Sequence, residues 1–441
     1  MAGPVLLKHA DGKTSGAEVD QPTTLLPPSW RHTLGLNRVR QTHLDIYSGY
    51  RKRFSDPLGI AATKHLFNDQ AETSDDDELT VYGVNSGAGE IIFNTSLMSL
   101  GFFSDWPGEP SGFDRPVDVA ADREGWVAVS DAGRNRVVYL QNVANQLHFI
   151  RYLDLAETGR PLNSPSGLAL EGGRLYIADT GNDRIVITNL DGEFLGTIVR
   201  SGGGGALIRP FDVAVIEPET WNYYGSKFII VTDSLALRLS QLSLEGEPMA
   251  AVRYNEIAGD PGGFYFTAVD YYANVYVTDS RAGCVYKFDR HLDYLTRFGC
   301  SGSGESDLDE PRGITIYRRF GQVFIAERSG ARYYWVGTDI LNPCAEARVG
   351  EGEAVLEIRF SLTEHSLLTL ILETAAGEPV DTLAENLFTE PGNVTKTYHL
   401  SGENGWKRIA NRTHSITITA TATYSSKRYF SARRKVPLNV R

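Results

Sequence analysis

The chain has 441 residues and a formal net charge of −12 at pH 7, from 43 Lys and Arg against 55 Asp and Glu. This acidic balance excludes the basic face that binding to nucleic acid phosphates requires, and the length allows two or three domains with a large core. Three cysteines exclude a disulfide framework, and no stretch reaches the roughly 18 apolar residues of a membrane span. Abundant Val, Ile, Tyr, Phe, Thr and Gly in the periodic segments predict a mostly β protein.

Residues 1–41 are polar and contain several prolines, which predicts an extended N-terminal arm. Residues 42–47 alternate apolar and polar side chains and predict a single β-strand. The first residues have too short an apolar run for a secretory signal. We therefore expect either a cytoplasmic protein or an exported one whose signal segment is absent from this sequence.

A unit made of a short apolar strand, a turn and a second apolar strand recurs six times between about residues 56 and 337. Five copies open on a proline that is followed two residues later by Gly or Asp, because proline fixes φ before the strand and glycine allows a tight entry. The fifth copy departs from this and has residues 264–268, Phe-Tyr-Phe-Thr-Ala, at that place. The second strand of each copy ends at a polar marker: Asn85, Asp131, Asp179, Asp233, Asp279 and Glu327.

Four copies carry an arginine five residues after the marker: Arg136, Arg184, Arg238 and Arg332. An acid at the end of one strand and a guanidinium at the start of the next can meet across a hairpin. Because the pair recurs around the repeat, whereas a catalytic residue need not occur in every copy, we expect it to be structural.

Four short strands per unit at this period predict a β-propeller, and six copies predict six blades. The succession of Pro-x-Gly/Asp, an apolar strand and Asp-x-Gly-x-x-Arg resembles the NHL repeat, most clearly at residues 116–140 and 165–198. The resemblance implies a six-bladed NHL-like propeller, which we place at residues 42–341. The sixth copy runs out after three strands, and an open ring would leave exposed sheet edges. We therefore expect the strand at residues 42–47 to close the ring as the missing outer strand.

Residues 342–441 show alternating segments at 355–360, 367–373, 394–399, 415–424 and 427–432. Several such strands within a short stretch predict an immunoglobulin-like or fibronectin-like β-sandwich. Residues 360–420 resemble the Ig-like module of flagellar hook-capping proteins. The fold class expected for the whole chain is thus all-β, with a six-bladed propeller followed by a sandwich.

Propellers bind ligands where loops converge on the central channel. Asp118 and Asp212 stand at the position that is glycine at Gly59, Gly167 and Gly313. Three arginines lie within two residues of the same turn: Arg115, Arg209 and Arg312. A channel mouth that mixes carboxylates and guanidiniums could hold a polar ligand, a carboxylate or a cation. Alternatively, these groups only pair with each other and with solvent.

No cofactor is expected. The histidines are scattered and no zinc-site spacing occurs. The acidic run at residues 72–78 could gather calcium, but its spacing does not match an EF-hand loop and a solvated insertion is favoured. Cys284 and Cys300 flank one predicted hairpin and could pair, but buried or free thiols are the commoner outcome for so few cysteines.

These features favour a non-catalytic binding or scaffold protein that recognises protein or glycan through propeller loops, exported or exposed at the cell surface. Two alternatives remain open. Some NHL-type propellers are lyases, so the resemblance allows a lyase or hydrolase that acts in the channel. The third reading is a structural subunit of a filament or large assembly, which would associate through the N-terminal arm and the C-terminal sandwich.

Overall fold

The computed structural model describes residues 23–28, 37–67, 79–96, 99–108, 110–218, 221–233, 237–258, 262–302, 304, 306–350, 353–401, 414–428 and 430–440. Their contacts divide the chain into two compact units, Leu36–Tyr334 and a second unit that joins Met1–Gly35 to Trp335–Arg441. Both units consist mainly of β-strands, which confirms the all-β class. In the described part of the chain, no helix is long and apolar enough to cross a membrane.

Three short elements precede the repeats: β1 (Leu25–Leu26), β2 (Arg38–Arg40) and α1 (Gln41–Ser48). The first three blades contain β3 (Pro57–Thr63), β4 (Thr80–Asn85), β5 (Glu90–Ser96) and β6 (Ser99–Phe103); β7 (Pro116–Ala121), β8 (Trp126–Asp131), β9 (Arg136–Val143) and β10 (Gln146–Leu153); and β11 (Pro165–Glu171), β12 (Arg174–Asp179), β13 (Arg184–Asn189) and β14 (Phe194–Ile198).

Blades four to six contain β15 (Pro210–Ile216), β16 (Phe228–Asp233), β17 (Arg238–Leu242) and β18 (Pro248–Arg253), followed by the short helix α2 (Tyr254–Ile257); β19 (Thr267–Val269), β20 (Val275–Asp279), β21 (Cys284–Phe288) and β22 (Tyr294–Phe298); and β23 (Ile314–Tyr317), β24 (Gln322–Glu327) and β25 (Gly330–Val336). Each blade is an antiparallel sheet in chain order. The first strands contact one another in a closed ring, from β3 through β7, β11, β15, β19 and β23 back to β3. The six-bladed propeller is therefore confirmed.

The recurring acid–arginine pairs hold the hairpins of four blades, as expected. Arg136 donates to Asp131 at 2.8 Å, Arg184 to Asp179 at 2.7 Å, and Arg332 to Glu327 at 3.0 Å. The corresponding pair in the fourth blade joins Arg238 to Asp233. The same acids also accept a backbone N–H from the turn before their own blade's first strand, from Asp114, Asn163, Ile208 and Asp309. These side chains thus fasten each second strand to the entry of the first.

The strand predicted at residues 42–47 is wrong, because α1 occupies these residues. Local bonds stabilise the helix: the backbone N–H of Arg40 donates to Nδ1 of His43 at 3.0 Å, and the side chain of Gln41 donates to Asp45 at 2.7 Å. Gly49 ends the helix at φ 63°. These local bonds and the cap outweigh an alternation too short to fix a strand.

The N-terminal region nevertheless closes the ring, but through β2, which lies just before the predicted segment in the chain. Strand β2 pairs antiparallel with β25 of the sixth blade, and Val39 lies opposite Ala331. Arg38 also forms an ion pair with Glu327 at 3.2 Å. The edge of the sixth blade is therefore covered by the chain's own N-terminal region. Of the expected arm, residues 1–22 and 29–36 lie outside the described residues.

In the second unit, β1 pairs antiparallel with the end of β25, and the backbone N–H of Thr23 donates to Asp339 at 2.8 Å. Seven longer strands follow: β26 (Ile340–Val349), β27 (Glu353–Leu362), β28 (Ser366–Thr374), β29 (Pro379–Thr389), β30 (Gly392–Ser401), β31 (His414–Ala422) and β32 (Ala432–Val440). Their sheet order is β29-β28-β31-β32-β26-β27-β30.

Strand β32 belongs to both halves of this sheet. Its first part pairs antiparallel with β31, where Ala432 faces Ala420, and its last part pairs parallel with β26, where Leu438 faces Ala345. The sheet encloses one apolar core and is nearly barrel-like. A strand predicted at residues 427–432 is wrong, because a 3-10 turn forms at Ser425–Arg428 before β32 begins. The likeness to an Ig-like module stays a prediction.

The three cysteines are free: Cys284 is buried and Cys300 is exposed. The predicted calcium-gathering run at residues 72–78 lies outside the described residues.

Candidate functional site

Asp118 and Asp212 lie where the first strands of their blades begin. The ladder to the second strand skips a position there, and a hydroxyl of the second strand takes the freed backbone N–H: Ser130 accepts from Asp118 at 2.9 Å and Thr232 accepts from Asp212 at 3.0 Å. This bulge turns each carboxyl group towards the next blade. Asp118 accepts the backbone N–H of Leu168 at 2.8 Å, and Asp212 accepts that of Thr267 at 2.7 Å.

The glycines at the same position of neighbouring blades make room for these carboxyl groups. A Cβ on Gly59 would overlap the carboxylate of Asp118, and a Cβ on Gly167 would overlap that of Asp212. Gly313 of the sixth blade donates its N–H to the carbonyl of Leu58 at 3.0 Å. The strand entries therefore pack tightly, and Asp118 and Asp212 are only 5% and 3% exposed. The sequence predicted that both carboxyl groups belong to a channel mouth; in the structure they are buried where their strands begin.

Burial sets the electrostatics of this pair. It raises the pKa of Asp118 to about 7, against an ordinary value of 3.8. Burial likewise raises the pKa of Asp212 well above that value, and the neighbouring charge of Asp118 raises it further. Two buried carboxylates near each other disfavour double ionisation, so the pair retains a proton near neutral pH.

The three predicted arginines lie apart from the carboxyl pair. Arg115 and Arg209 are exposed, with φ angles of 58° and 53° before their prolines. Arg312 donates to the carbonyl of Pro57 at 3.0 Å and pairs with Asp56. None of these arginines is among the described residues that line the channel cavity. The structure thus brings together two of the five predicted site residues, and a ligand-binding role for all five stays a prediction.

The centre of the propeller contains a cavity of about 580 Å³ that the first strands of all six blades line. At one end, which we call the floor, it is bounded by Asp118, Asp212 and Thr267. At the other end, which we call the loop mouth, the lining residues lie at the ends of the first strands or follow them: Arg123, Glu124, Trp126, Glu171, Gly172, Gly173, Trp221 and Arg318. Arg123, Glu124, Gly172, Gly173 and Trp221 are exposed, so the cavity opens to solvent here.

Arg318 of the sixth blade reaches across the loop mouth. Its guanidinium donates to Glu171 of the third blade at 3.2 Å, to the carbonyl of Val215 in the fourth at 2.6 Å, and to that of Val269 in the fifth at 3.2 Å. A planar guanidinium with five donors suits such a bridge. One side chain therefore joins four blades and narrows the opening.

Two indoles border the same opening. Trp221 is 43% exposed, and the guanidinium of Arg319 lies 4.9 Å from its ring centre. The backbone N–H of Trp126 donates to Asp122 at 2.8 Å, and burial raises the pKa of Asp122 to about 6. Exposed aromatic faces beside charged side chains are typical of recognition surfaces.

The loop mouth was not predicted from the sequence, although the sequence contains a signal for it. The amino acids at the far ends of the first strands differ between the copies as strongly as those at the Gly/Asp position. The paired residues there are Thr63-Lys64, Asp122-Arg123, Glu171-Gly172, Ile216-Glu217, Asp270-Tyr271 and Tyr317-Arg318. Where the copies have different residues, the repeated fold does not require a particular amino acid, so these residues are candidates for function.

Among the residues that the structure describes, no group of three or more His, Cys, Asp or Glu side chains forms a metal-binding cluster.

The NHL repeat family model matches residues 162–187, within the third blade. This match and the arrangement of the six blades support a propeller of the NHL type. No curated protein sequence matches the chain significantly.

Solved structures similar to this chain include a virginiamycin B lyase from Staphylococcus aureus, at 11% identity over 68% of this chain and 87% of that chain, with a TM-score of 0.42. Another is regucalcin, a calcium-binding protein from Agrobacterium tumefaciens, at 14% identity over 58% and 85%, with a TM-score of 0.41. A third is a chain of the nidogen/laminin complex, at 17% identity over 55% and 80%, with a TM-score of 0.39. Similarity at this level assigns no activity to the present chain.

Proposed function

We propose that the chain is a non-catalytic binding protein and that its ligand, a protein segment or a glycan, enters the channel by the loop mouth. One observation carries this proposal: a cavity of about 580 Å³ is bordered at its open end by the exposed indole of Trp221 and by charged side chains. Its volume lies within the range of small-ligand pockets, and the aromatic rim supplies stacking surface. Export to the cell surface remains the prediction made from the sequence.

Binding to arrays of defined oligosaccharides and of synthetic peptides tests the proposal. We expect the wild-type chain to bind a restricted set of probes and Trp221→Ala to lose at least about tenfold in affinity, as a central aromatic contact does. Tyr294→Ala is the matched control, because Tyr294 is 44% exposed but lies on the outermost strand of the fifth blade. Equal losses in the two variants, or no loss in Trp221→Ala, would contradict binding at the loop mouth.

A lyase or hydrolase that acts in the channel is the second candidate. The observation that favours it is Asp118, a carboxyl group in the cavity wall whose pKa is raised to about 7 by burial. Such a group can accept and return a proton near neutral pH. Turnover of chromogenic glycosides or lactones that disappears in Asp118→Asn, with unchanged thermal stability, would establish this candidate over the non-catalytic one.

A further inference from the structure

The cavity is acidic. Seven of the residues that line it have ionisable side chains, and the five acids outnumber the two bases even when Asp118 and Asp212 share one proton: Asp118, Asp122, Glu124, Glu171 and Asp212 against Arg123 and Arg318. Two of the three acids near the loop mouth have partners within the protein, since Glu171 pairs with Arg318 and Asp122 accepts the N–H of Trp126, and the third, Glu124, is exposed to solvent. An anionic ligand would meet a net negative wall, whereas a cation would be attracted.

The acids at the floor have a different environment. Asp118 and Asp212 accept backbone N–H groups from Leu168 and Thr267, and no basic side chain among the described residues pairs with either carboxyl group. A carboxylate offers about four lone-pair sites, so each retains acceptor capacity. Buried acids without a cationic partner are costly, and a bound cation would offset that cost.

Thr267 supplies a second, independent sign of a missing partner. It is 6% exposed, it belongs to the cavity lining, and its N–H donates to Asp212. Its hydroxyl oxygen makes no hydrogen bond within the described residues. A primary ammonium group carries three donors, and the floor offers three acceptors, on Asp118, Asp212 and Thr267.

The wall between the floor and the loop mouth is largely apolar: Ile60, Ala120, Val213, Ala268 and Ile314 line it. Phe266, which holds the Gly/Asp position of the fifth blade, lines the cavity at the level of the floor. Asp122 lies four residue steps along the chain from Asp118, which is about 13 Å at about 3.3 Å per step. A group that enters at the loop mouth and reaches the floor therefore needs a long, narrow, apolar stem. The four-carbon stem of a lysine in a bulky partner is too short for this distance.

We propose that the floor of the channel binds the ammonium group of an organic amine carried on an extended apolar stem. The proposal rests on the proposed function, in that the amine enters by the loop mouth. The three acceptors of the floor hold the ammonium group, the aliphatic wall packs against the stem, and the indoles at the loop mouth contact the outer end of the ligand.

Amine binding is coupled to proton release. The elements packed on Asp118 present Gly59, Ser130 and Leu168, and those packed on Asp212 present Gly167, Thr232 and Thr267. None of these residues titrates, so the titratable neighbour of each carboxyl group is the other one. Burial raises the pKa of Asp118 to about 7, so a bound ammonium must displace a proton below that pH. Affinity is therefore expected to rise with pH, at most tenfold per pH unit for each proton released.

Isothermal titration of the full chain with hexylamine, 1-hexanol and hexanoate tests the proposal, because the three probes share a stem and differ in the charge of the head group. We expect hexylamine to bind at least about tenfold more tightly than 1-hexanol at pH 8, and hexanoate to bind most weakly. The preference for hexylamine should shrink between pH 8 and pH 6. Titration in two buffers of different ionisation enthalpy should detect proton release at pH 6.

Asp212→Asn should abolish the preference for hexylamine over 1-hexanol, and Thr267→Val should lower the affinity for hexylamine about threefold or more. Asp191→Asn, in the exposed turn between β13 and β14, is the control and should bind like the wild type. If Asp212→Asn does not fold, the proposal is tested by the hexylamine affinity of Thr267→Val and by the proton release on binding to the wild type. Equal binding of hexylamine and 1-hexanol, or a preference for hexylamine that survives both floor substitutions, would overturn the proposal.

Two further experiments distinguish this proposal from a lysine-binding site and from the proposed function. Nα-acetyl-lysine methylamide should bind more weakly than hexylamine, and tighter binding would mean that the floor accepts a lysine side chain instead. Trp221→Ala tests the proposed function itself. If binding to the arrays depends on Trp221 while hexylamine binds no more tightly than 1-hexanol, ligand binding at the loop mouth is supported and the amine site is refuted. Selective binding of hexylamine without any array binding would leave the amine site standing and sink recognition of a protein or glycan.

Discussion

The carboxyl group of Asp118 occupies the space that a side chain on Gly59 would need. The two residues hold the same position in adjacent blades. The aspartate fits there because its neighbour is a glycine, which has no side chain. Asp212 and Gly167 repeat the relationship two blades further on. The alternation of Gly and Asp in the first four blades is thus a packing rule of their strand entries, as well as a source of acidic groups at the floor of the cavity.

Gly59→Ala should destabilise the chain. Its Cβ would overlap both the carboxylate and the Cα of Asp118, so the two strand entries would have to move apart. Overpacking of this kind costs about 2 kcal/mol or more in the free energy of unfolding. Urea denaturation measures the loss. Gly196→Ala in β14 is the control, since no atom lies within 4 Å of its added Cβ; equal effects of the two substitutions would contradict the packing rule.

Asp118→Asn should change how stability depends on pH. The folded chain keeps the Asp118 proton up to a pKa of about 7, whereas the unfolded chain releases it near the ordinary value of 3.8. The folded state therefore binds more protons in this window, and the free energy of unfolding falls as pH rises, by up to about 1.4 kcal/mol per pH unit for one group. Asparagine removes this contribution and still offers an oxygen to the N–H of Leu168.

The stability difference between Asp118→Asn and the wild type should accordingly shift in favour of the variant from about pH 4 to about pH 7 and then level off. Denaturation curves at pH 4.5, 6 and 7.5 check this. A difference that stays constant over the range would mean that Asp118 has an ordinary pKa in the folded chain.

Asp179→Ala should destabilise the third blade strongly. Asp179 is fully buried and accepts hydrogen bonds from the backbone of Asn163 and from the side chains of Asn182 and Arg184. Removing one member of a buried ion pair costs about 3 to 5 kcal/mol. The midpoint of urea unfolding gives the measurement, and Asp191→Ala, in an exposed turn, should leave it within about 0.5 kcal/mol of the wild type.

Deletion of residues 1–40 should uncover an edge of the sixth blade. Strand β2 then no longer pairs with β25, and the free edge can pair with another chain. We expect oligomers or aggregates in size-exclusion chromatography coupled to light scattering. Deletion of residues 1–22, which leaves β1 and β2 in place, is the control. A stable monomer after the longer deletion would show that β2 is dispensable for closure.

The repeat determined most of what could be predicted. Markers from Asn85 to Glu327 end the second strands where the sequence placed them. In five blades the reason is the same, because a side-chain oxygen of the marker accepts a backbone N–H from the turn before the first strand. In the fifth blade Asp279 instead accepts the N–H groups of Arg281 and Ala282 in the turn that follows it. The segment at residues 42–47 failed because six alternating residues also fit a helix, and only the cap at Gly49 and the bonds around Gln41 choose between the two. Strand β29 was missed, since it lies at the edge of its sheet and its pattern is broken by bulges.

The sequence by itself determined six blades, their scaffold pairs and the two positions at which an acid replaces glycine, because these follow from a period and from local turn chemistry. Only the tertiary structure decided which way each acid faces and which end of the channel is open. Asp118 bonds to Leu168 fifty residues away, and Arg318 reaches Glu171 across the ring. Such contacts depend on how the blades close around the axis, which no local pattern encodes.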